Sequence, residues 1–314
     1  MVWGGSLQFG EEPFDNGFVF DPRADSWREL PPAPLSARSA SAAVWTGREV
    51  LIWGGMGPKE TGEGFGDGAA YDPAQDSWRM LPPAPLSPRV PFGAVAVWTG
   101  REMIVWGSTL RQERVALDGA AYDPAQNTWR RIPEAPFGLN EGAYWIDSMA
   151  VWTGQEMLVL GVLRDPNNGE SPQDTTLIAA YDPEIDQWRR PPPPDLTPFA
   201  ADLAAVWTGS ELLAIDDYGR VSAYDPDADA WHGRPAVPVE VAAPQAAFAG
   251  GQLFLETFGS EATYDPGRGF WTDVSEMIPP PNGYYRPVAA GSVILLWEVD
   301  PHGKSPHALL AWKP

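Results

Sequence analysis

The chain has 314 residues, of which 44% are hydrophobic, and its formal net charge at pH 7 is −21. This acidic excess argues against nucleic-acid and anionic-membrane partners, because both reward basic surface. The sequence contains no cysteine, which excludes disulfides, thiolate metal sites and cysteine nucleophiles. No apolar run approaches the roughly 18 residues that a membrane-spanning helix needs, so we expect no membrane insertion.

A short motif recurs along the whole chain. Tyr-Asp-Pro begins at positions 71, 122, 181, 224 and 264, and Phe20 begins an earlier copy in which Phe replaces Tyr. A tryptophan follows each copy, at positions 27, 78, 129, 188, 231 and 271. The copies lie 40 to 59 residues apart, and a period near 50 residues is typical of repeat architectures.

Each repeat divides into four short segments, which we interpret as strands because they are too short for helices and rich in β-branched and aromatic residues. In the copy that begins at Ser41, residues 41–45 and 50–55 form the first two strands, joined at Gly47 by a tight hairpin. The third strand ends at Asp72-Pro73, a sequence that favours a turn. The fourth holds the tryptophan. Four antiparallel strands, repeated radially, form a β-propeller blade.

These residues resemble the kelch family over essentially the whole chain. The shared marks are paired glycines at the end of the second strand, as at Gly54-Gly55, the Tyr-Asp-Pro motif and the following tryptophan. The pair is replaced at Gly161-Val162, Asp216-Asp217 and Glu298-Val299, where we expect distorted blades. The resemblance implies an all-β propeller in a single domain over residues 1–314, with ligands commonly bound at the loop face around the central channel.

The number of predicted strands indicates seven blades, of which the first and the last are incomplete. Residues 1–5 match a second strand, and residues 310–314 stand where Tyr-Asp-Pro stands elsewhere. We therefore expect a seven-bladed propeller shortened at its N-terminus, with six blades and a left-over hairpin as the alternative. An upstream signal segment would favour an extracytoplasmic, secreted protein. The open edge of the first blade predicts self-association.

Two kinds of connection are predicted at opposite ends of the blades. The first-to-second and third-to-fourth turns are nearly identical in every copy, whereas the other loops vary, and variable loops on a rigid scaffold usually carry binding. The variable loops include residues 56–67, 108–117, 162–176 and 298–307. The candidate ligand-binding residues at this loop face are Arg38, Arg89, Tyr144, Trp145, Asp147, Asp202, Glu240, Tyr285 and Arg286.

Basic and aromatic candidates suit different ligands. The planar forks of Arg38 and Arg89 suit an anion or a carboxylate, although bonding to loop carbonyls is the alternative. Tyr144 and Trp145 offer flat apolar faces for a sugar ring or a peptide aromatic. The alternative for Trp145 is packing beneath its own loop, residues 137–147.

Acidic candidates and metal signals are weaker. Asp147, Asp202 and Glu240 occupy equivalent positions in three blades, where paired carboxylates suit acid–base work on sugars, but a solvated acidic rim is favoured. Asp300, His302 and His307 share a loop, and residues 165–170 resemble a calcium loop with a misplaced glycine. Solvated loops are favoured in both cases, so we predict no metal and no cofactor.

Three functions remain open. The favoured one is a non-enzymatic propeller that binds a protein segment or a glycan at the loop face. The second is a metal-independent carbohydrate-active enzyme, similar to a mutarotase or a hydrolase, that uses the carboxylates. The copper oxidases of the kelch family are excluded because their cofactor needs a cysteine. The third is a structural module of a larger assembly.

Overall fold

A computed structural model describes most of the chain. The described residues are 1–6, 12–21, 24, 26–58, 64–110, 114–137, 144–165, 173–194, 196, 203–279, 281, 284–299 and 309–313. Within these ranges the one helix is a three-residue 3-10 turn, Ser275–Met277, and no helix there is long and apolar enough to cross a membrane.

Seven antiparallel sheets are formed by strands that follow one another along the described chain. The strands of the first three sheets are β1 (Val2–Trp3), β2 (Gly17–Asp21), β3 (Ser26–Glu29); β4 (Ala42–Trp45), β5 (Val50–Trp53), β6 (Gly68–Asp72), β7 (Ser77–Met80); and β8 (Val90–Trp98), β9 (Met103–Leu110), β10 (Arg114–Val115), β11 (Gly119–Asp123), β12 (Thr128–Ile132). The fourth and fifth sheets contain β13 (Tyr144–Trp152), β14 (Met157–Asp165), β15 (Gln173–Asp182), β16 (Gln187–Arg189); and β17 (Leu203–Trp207), β18 (Leu212–Asp216), β19 (Val221–Asp225), β20 (Ala230–Arg234). The last two contain β21 (Gln245–Ala249), β22 (Gln252–Thr257), β23 (Ser260–Asp265), β24 (Phe270–Asp273); and β25 (Tyr284–Ala290), β26 (Val293–Val299), β27 (Leu309–Trp312).

The sheets are the blades of a seven-bladed β-propeller. Strands pair in chain order, as in β4-β5-β6-β7, while the first blade is β1-β2-β3 and the last is β25-β26-β27. The prediction of seven blades with three-stranded first and last blades is confirmed, and the six-bladed alternative is wrong. Blade 3 has one addition, because the short β10 pairs with the far end of β9.

Several segments predicted as loops are strands instead. The segment that contains Tyr144 and Trp145 begins β13, β9 reaches Leu110 and β14 reaches Asp165. Strand β14 runs through Gly161-Val162 without interruption, so the distortion expected there is wrong. The strands of these hairpins are longer than those of the other blades. The sequence did not predict the extra length, because the residues there depart from the repeat pattern.

The uniform turns are built as predicted. The Thr46 hydroxyl oxygen accepts the amides of Arg48 and Glu49, at 3.2 and 2.8 Å, and Gly47 has a φ of +91°. In the next turn a carboxylate oxygen of Asp72 accepts the amide of Ala74 at 2.9 Å. These local bonds satisfy backbone donors that the strand ladder leaves free, which explains why the turns repeat.

The chain divides into two compact units, which are described separately. The first comprises Met1–Ser148, Asp165–Glu170 and Asp182–Trp188, and the second comprises Met149–Arg164, Ser171–Tyr181 and Arg189–Pro314.

In the first unit, neighbouring blades bury apolar faces against each other. Leu51 and Trp53 of blade 2 pack with Val105 and Tyr122 of blade 3. The repeat tryptophan closes the outer part of each junction, since Nε1 of Trp129 donates to the carbonyl of Pro82 in the preceding blade at 3.0 Å. Trp129 therefore fills the wedge between blades 2 and 3.

The second unit repeats this packing. Leu213 and Ile215 of blade 5 share a buried cluster with Leu253 and Leu255 of blade 6. The repeat tryptophan of blade 6, Trp271, donates its Nε1 to the preceding blade across 2.9 Å. The same cluster therefore holds the two blades, and the turns at their loop ends, in a defined arrangement.

Candidate functional site

Arg38 is part of the scaffold in the first unit. Its fully buried guanidinium donates to Oδ1 of Asp67 at 2.7 Å and to the Gly54 carbonyl at 3.1 Å. Its Nε donates to the carbonyl of Ser36, and the group lies 4.1 Å from the ring centroid of Phe65. These contacts occupy the planar fork that was predicted to capture an anion, and they tie the start of the first strand to the loop before the third.

Arg89 repeats this arrangement in blade 3 with fewer partners. Its Nη2 donates to Oδ1 of Asp118 at 2.7 Å, and the side chain is buried. Its Nε and Nη1 have no hydrogen-bond partner among the described residues. Of the two arginines, Arg89 therefore keeps donors for a further acceptor, and anion recognition remains a proposal for it.

Two neighbouring candidates on the seventh blade, Tyr285 and Arg286, differ in exposure. Tyr285 is buried in the core between blades 6 and 7, and its hydroxyl donates to the carbonyl of Pro279 at 2.8 Å. Arg286, the next residue on β25, is exposed. The alternation of a strand explains this difference, because successive side chains point to opposite faces.

Several candidates lie partly or wholly outside the described residues. Only the backbone of Tyr144, Trp145 and Asp147 is described, within β13. Asp202 falls outside the described part of the chain. The loop residues Asp300, His302 and His307, and residues 166–170 of the calcium-like loop, fall outside it as well. Among the residues that are described, no group of three or more metal-ligating side chains occurs.

Glu240, a candidate from the sequence, lies beside residues that the sequence analysis did not single out. It is exposed on the loop between β20 and β21, in the second unit. A shallow cavity of about 350 Å³ is lined by Glu240, Ala242, Ala243, Phe258 and Ser260. Ala243 has a φ of +47°, a left-handed conformation that is disfavoured for residues with a Cβ.

An exposed aromatic side chain, Phe258, forms one wall of this cavity. It lies on the two-residue turn between β22 and β23, and 73% of its surface is exposed. Its amide donates to the carbonyl of Ala242 at 3.0 Å, and the hydroxyl of the buried Thr257 lies 2.8 Å from the carbonyl oxygen of Glu240. The turn and the loop are therefore fastened together.

A second exposed aromatic side chain, Tyr218, occupies the corresponding turn of blade 5. It is 60% exposed. Asp216 is buried beneath it, and one of its carboxylate oxygens accepts the amides of Tyr218 and Arg220 at 3.0 and 2.9 Å. The carbonyl of Gly219, the next residue, accepts the amide of Val237 from the β20–β21 loop at 2.8 Å. Tyr218 and Phe258 thus flank the same loop.

Buried carboxylates lie directly behind the Phe258 turn. Glu256 and Glu261 are opposite each other on β22 and β23, and both are buried. Burial raises the pKa of Glu256 to about 7, against the opposing effect of the hydrogen bond from the Tyr285 backbone, and the charge of Glu261 adds to the rise. Burial likewise raises the pKa of Glu261, with a contribution from Asp273.

The sequence carried a partial signal for this site. Asp216-Asp217 replaces the glycine pair, and Glu256 interrupts an apolar strand, Gln252–Thr257. Both departures from the repeat pattern lie next to the turns that carry Tyr218 and Phe258. The loops singled out for their variation between blades did not include the short turns of Tyr218 and Phe258.

Comparison with known proteins gives modest sequence similarity and a shared fold. No family model matches the chain. An F-box/kelch-repeat protein of Arabidopsis thaliana is 27% identical over 189 residues, which cover 54% of this chain and 37% of that protein. Kelch-like protein terF of Aspergillus terreus is 27% identical over 117 residues, covering 35% of this chain and 26% of that protein.

A solved structure, that of YjhT, shares the fold. It has a TM-score of 0.60 at 17% sequence identity, over 86% of this chain and 92% of the other. The chain spans about a third of the length of the curated relatives that it matches. The repeated motif, the seven-bladed fold and the kelch-repeat relatives together support the assignment of this chain to the kelch-repeat propeller family.

Proposed function

We propose that this chain is a non-enzymatic binding module that holds a protein segment at the loop ends of blades 5 and 6. The observation that carries the proposal is the pair of exposed aromatic side chains, Tyr218 and Phe258, on either side of the loop that contains Glu240. Large apolar side chains in contact with water are unfavourable unless a partner covers them, and aromatic residues supply much of the binding energy at interfaces.

The rigidity of both turns supports this role. Asp216 holds the backbone of the Tyr218 turn, and the Thr257 hydroxyl and the Phe258 amide hold the second turn against the loop. A partner therefore meets aromatic rings whose backbone is already ordered, and less conformational entropy is lost on binding.

The charges favour a basic segment as the partner. The chain carries a formal net charge of −21, and Glu240 lines the same cavity as Phe258. Lysine and arginine side chains bind favourably to aromatic faces and to carboxylates. A segment with one or two such residues would place its cations at Tyr218, Phe258 and Glu240.

A glycan ligand and carbohydrate-active chemistry remain the second candidates. The aromatic rings beside Glu240 also suit a sugar ring. Of the three carboxylates that were proposed for acid–base work, Glu240 alone has a described side chain, and it is exposed. The basic segment is favoured because the site combines aromatic rings with negative charge.

The proposal is tested with labelled protein on two arrays. One presents 12-residue synthetic peptides that differ in Lys and Arg content, and the other presents glycans. We expect selective binding to basic peptides, with at least a tenfold loss of affinity for Phe258→Ala and for Tyr218→Ala. Phe270→Ala is the matched control, because Phe270 is exposed at the opposite end of blade 6 and its loss should leave affinity unchanged.

Three results would count against the proposal. Peptide binding that both turn variants retain would show that Tyr218 and Phe258 are not part of the binding site. Selective binding to glycans that Phe258→Ala abolishes would support the proposed site and show that its ligand is a glycan instead of a peptide. Turnover of a bound sugar would favour the enzymatic alternative.

A further inference from the structure

Two acidic residues flank the turn that carries Phe258. Glu256 and Glu261 are opposite each other on β22 and β23, and both side chains are buried. Residues that are directly opposite on antiparallel strands have their Cβ atoms about 5 Å apart, so the two carboxylates share one small space. Phe258 lies two residues after Glu256, which corresponds to about 7 Å along an extended chain. The pair is therefore close to the exposed ring that the proposed function uses.

The space that holds this pair lies between blades 6 and 7, within the second unit. Phe254, two residues before Glu256 on β22, packs in the same cluster as Tyr285 and Leu296 of blade 7, and side chains two residues apart on a strand share a face. Glu298, which is two residues after Leu296 and opposite Tyr285, is buried as well. Glu298 therefore adds a third acidic side chain to this junction.

The charged groups around Glu256 are mostly acidic. Its opposite residue on β21 is the neutral Gln245, and the backbone amide of Tyr285 donates to its carboxylate. The titratable and charged groups on the other neighbouring strands are Glu261 on β23, Asp273 on β24, Tyr285 and Arg286 on β25, and Glu298 on β26. Among the described residues, Arg286 is the one cation that acts on Glu256, and burial raises the pKa of Glu256 to about 7. Glu256 therefore exchanges its proton near neutral pH.

The Phe258 turn is held by hydrogen bonds that do not involve these carboxylates. The Thr257 hydroxyl lies 2.8 Å from the carbonyl oxygen of Glu240, and the Phe258 amide donates to the Ala242 carbonyl at 3.0 Å. Loss of a proton from Glu256 therefore changes the charge behind the turn, while the bonds that position the Phe258 ring remain.

We propose that a basic segment binds at the Phe258 turn with release of a proton from Glu256 to the solvent, so that binding strengthens as pH rises through neutrality. This proton release rests on the proposed function, because it needs a cation at the turn. A bound lysine or arginine stabilises the ionised form of a nearby carboxylate and not its neutral form. The coupling is reciprocal, so the ionised protein binds the segment more tightly. Charges about 10 Å apart in partly buried surroundings change a binding constant by roughly fivefold.

Isothermal titration calorimetry between pH 5.5 and pH 8.5, at constant ionic strength, tests this coupling. The probe is an acetylated 12-residue lysine peptide without histidine, chosen as the strongest binder on the peptide array. We expect its affinity to rise about fivefold over this range, where ordinary exposed carboxylates are already ionised. The heat of binding at pH 7 should differ between phosphate and Tris buffers, because the released proton is taken up by the buffer.

Three variants identify the group that releases the proton. Glu256→Gln should bind with the weaker, low-pH affinity at every pH and without proton release. Glu261→Gln should keep the coupling and move it to lower pH, because the charge of Glu261 disfavours ionisation of Glu256. His232→Gln, at an exposed position on the outer strand β20, is the control, since histidine side chains also titrate in this interval. It should behave like the wild type.

Several outcomes overturn the proposal. Affinity that stays constant from pH 5.5 to pH 8.5, or that falls as pH rises, excludes the coupling and leaves the proposed function intact. A rise in affinity that Glu256→Gln retains assigns the proton to another group. Failure of every basic peptide to bind at any pH removes the proposed function, and this coupling with it.

Discussion

Glu256 and Glu261 lie directly opposite each other on β22 and β23, with both side chains buried. The charges that act on them come from each neighbouring strand: Asp273 on β24, and Arg286 on β25. Burial disfavours the charged form of both carboxylates, and ionisation of Glu261 further disfavours ionisation of Glu256. The stability of blade 6 therefore depends on pH.

We predict that the protein becomes less stable as pH rises. The pKa of Glu256 is raised from 4.5 to about 7, so between these values the unfolded chain releases a proton that the folded chain keeps. The free energy of unfolding therefore falls over this interval, by up to about 3 kcal/mol, and the favourable contribution is lost above pH 7.

Urea unfolding at pH 5 and pH 8 measures this effect. We expect Glu256→Gln to remove most of the difference between the two pH values, because a neutral amide still accepts the backbone bond from Tyr285. Glu276→Gln, at an exposed position on the 3-10 turn, is the control and should behave like the wild type. Identical pH dependence in wild type and Glu256→Gln would contradict the prediction.

Thr257→Val should weaken ligand binding more than it weakens the fold. The substitution keeps the shape of the side chain and removes the hydroxyl that reaches the Glu240 carbonyl, at a cost to stability of about 1 kcal/mol. Because the loop is then less firmly held, we expect a several-fold loss of affinity for basic peptides. Thr272→Val, on the exposed side of β24, should change neither quantity. Full affinity in Thr257→Val would show that this bond does not position the loop.

Arg38→Ala should destabilise the first unit by about 2 kcal/mol. The substitution leaves Asp67 without its buried cation, although the partial exposure of Asp67 limits the penalty. Arg48→Ala is the comparison, because Arg48 is exposed and lies 3.6 Å from Asp72, so its loss should cost no more than about 0.5 kcal/mol. Equal effects in chemical denaturation would argue against a structural role for Arg38.

Trp145→Ala tests a candidate site separate from that of blades 5 and 6. The substitution on β13 is predicted to leave thermal stability nearly intact and to abolish binding of a ligand that Trp145 holds. The comparison is Trp78→Ala, which removes a ring that packs 5.9 Å from Trp3 and donates to the Pro31 carbonyl, at a cost of about 3–5 kcal/mol. Differential scanning fluorimetry and the two arrays separate these roles. A drop in melting temperature as large as that of Trp78→Ala would assign Trp145 to the core.

The local parts of this structure were predictable because short-range chemistry decides them. The Thr-Gly and Asp-Pro turns form as expected, since Thr46 and Asp72 bond amides within three residues of themselves. The strand pattern and the tryptophan spacing likewise predicted the blade count. Strand ends were less predictable, as at β14, because pairing beyond the blade body depends on the partner strand.

The sequence by itself determined the repeat, the four-stranded blade and the number of blades. The blade follows from spacing and turn chemistry within one copy, and the number of blades follows from the number of predicted strands along the chain. Tertiary structure alone decided which polar and aromatic groups remain available. Arg38 looks like an anion ligand until Asp67, which is 29 residues away, occupies its guanidinium. The repeat pattern assigns no role to Phe258, whose ring is exposed beside the β20–β21 loop. Availability depends on contacts between distant segments, and the spacing of residues within a repeat does not contain them.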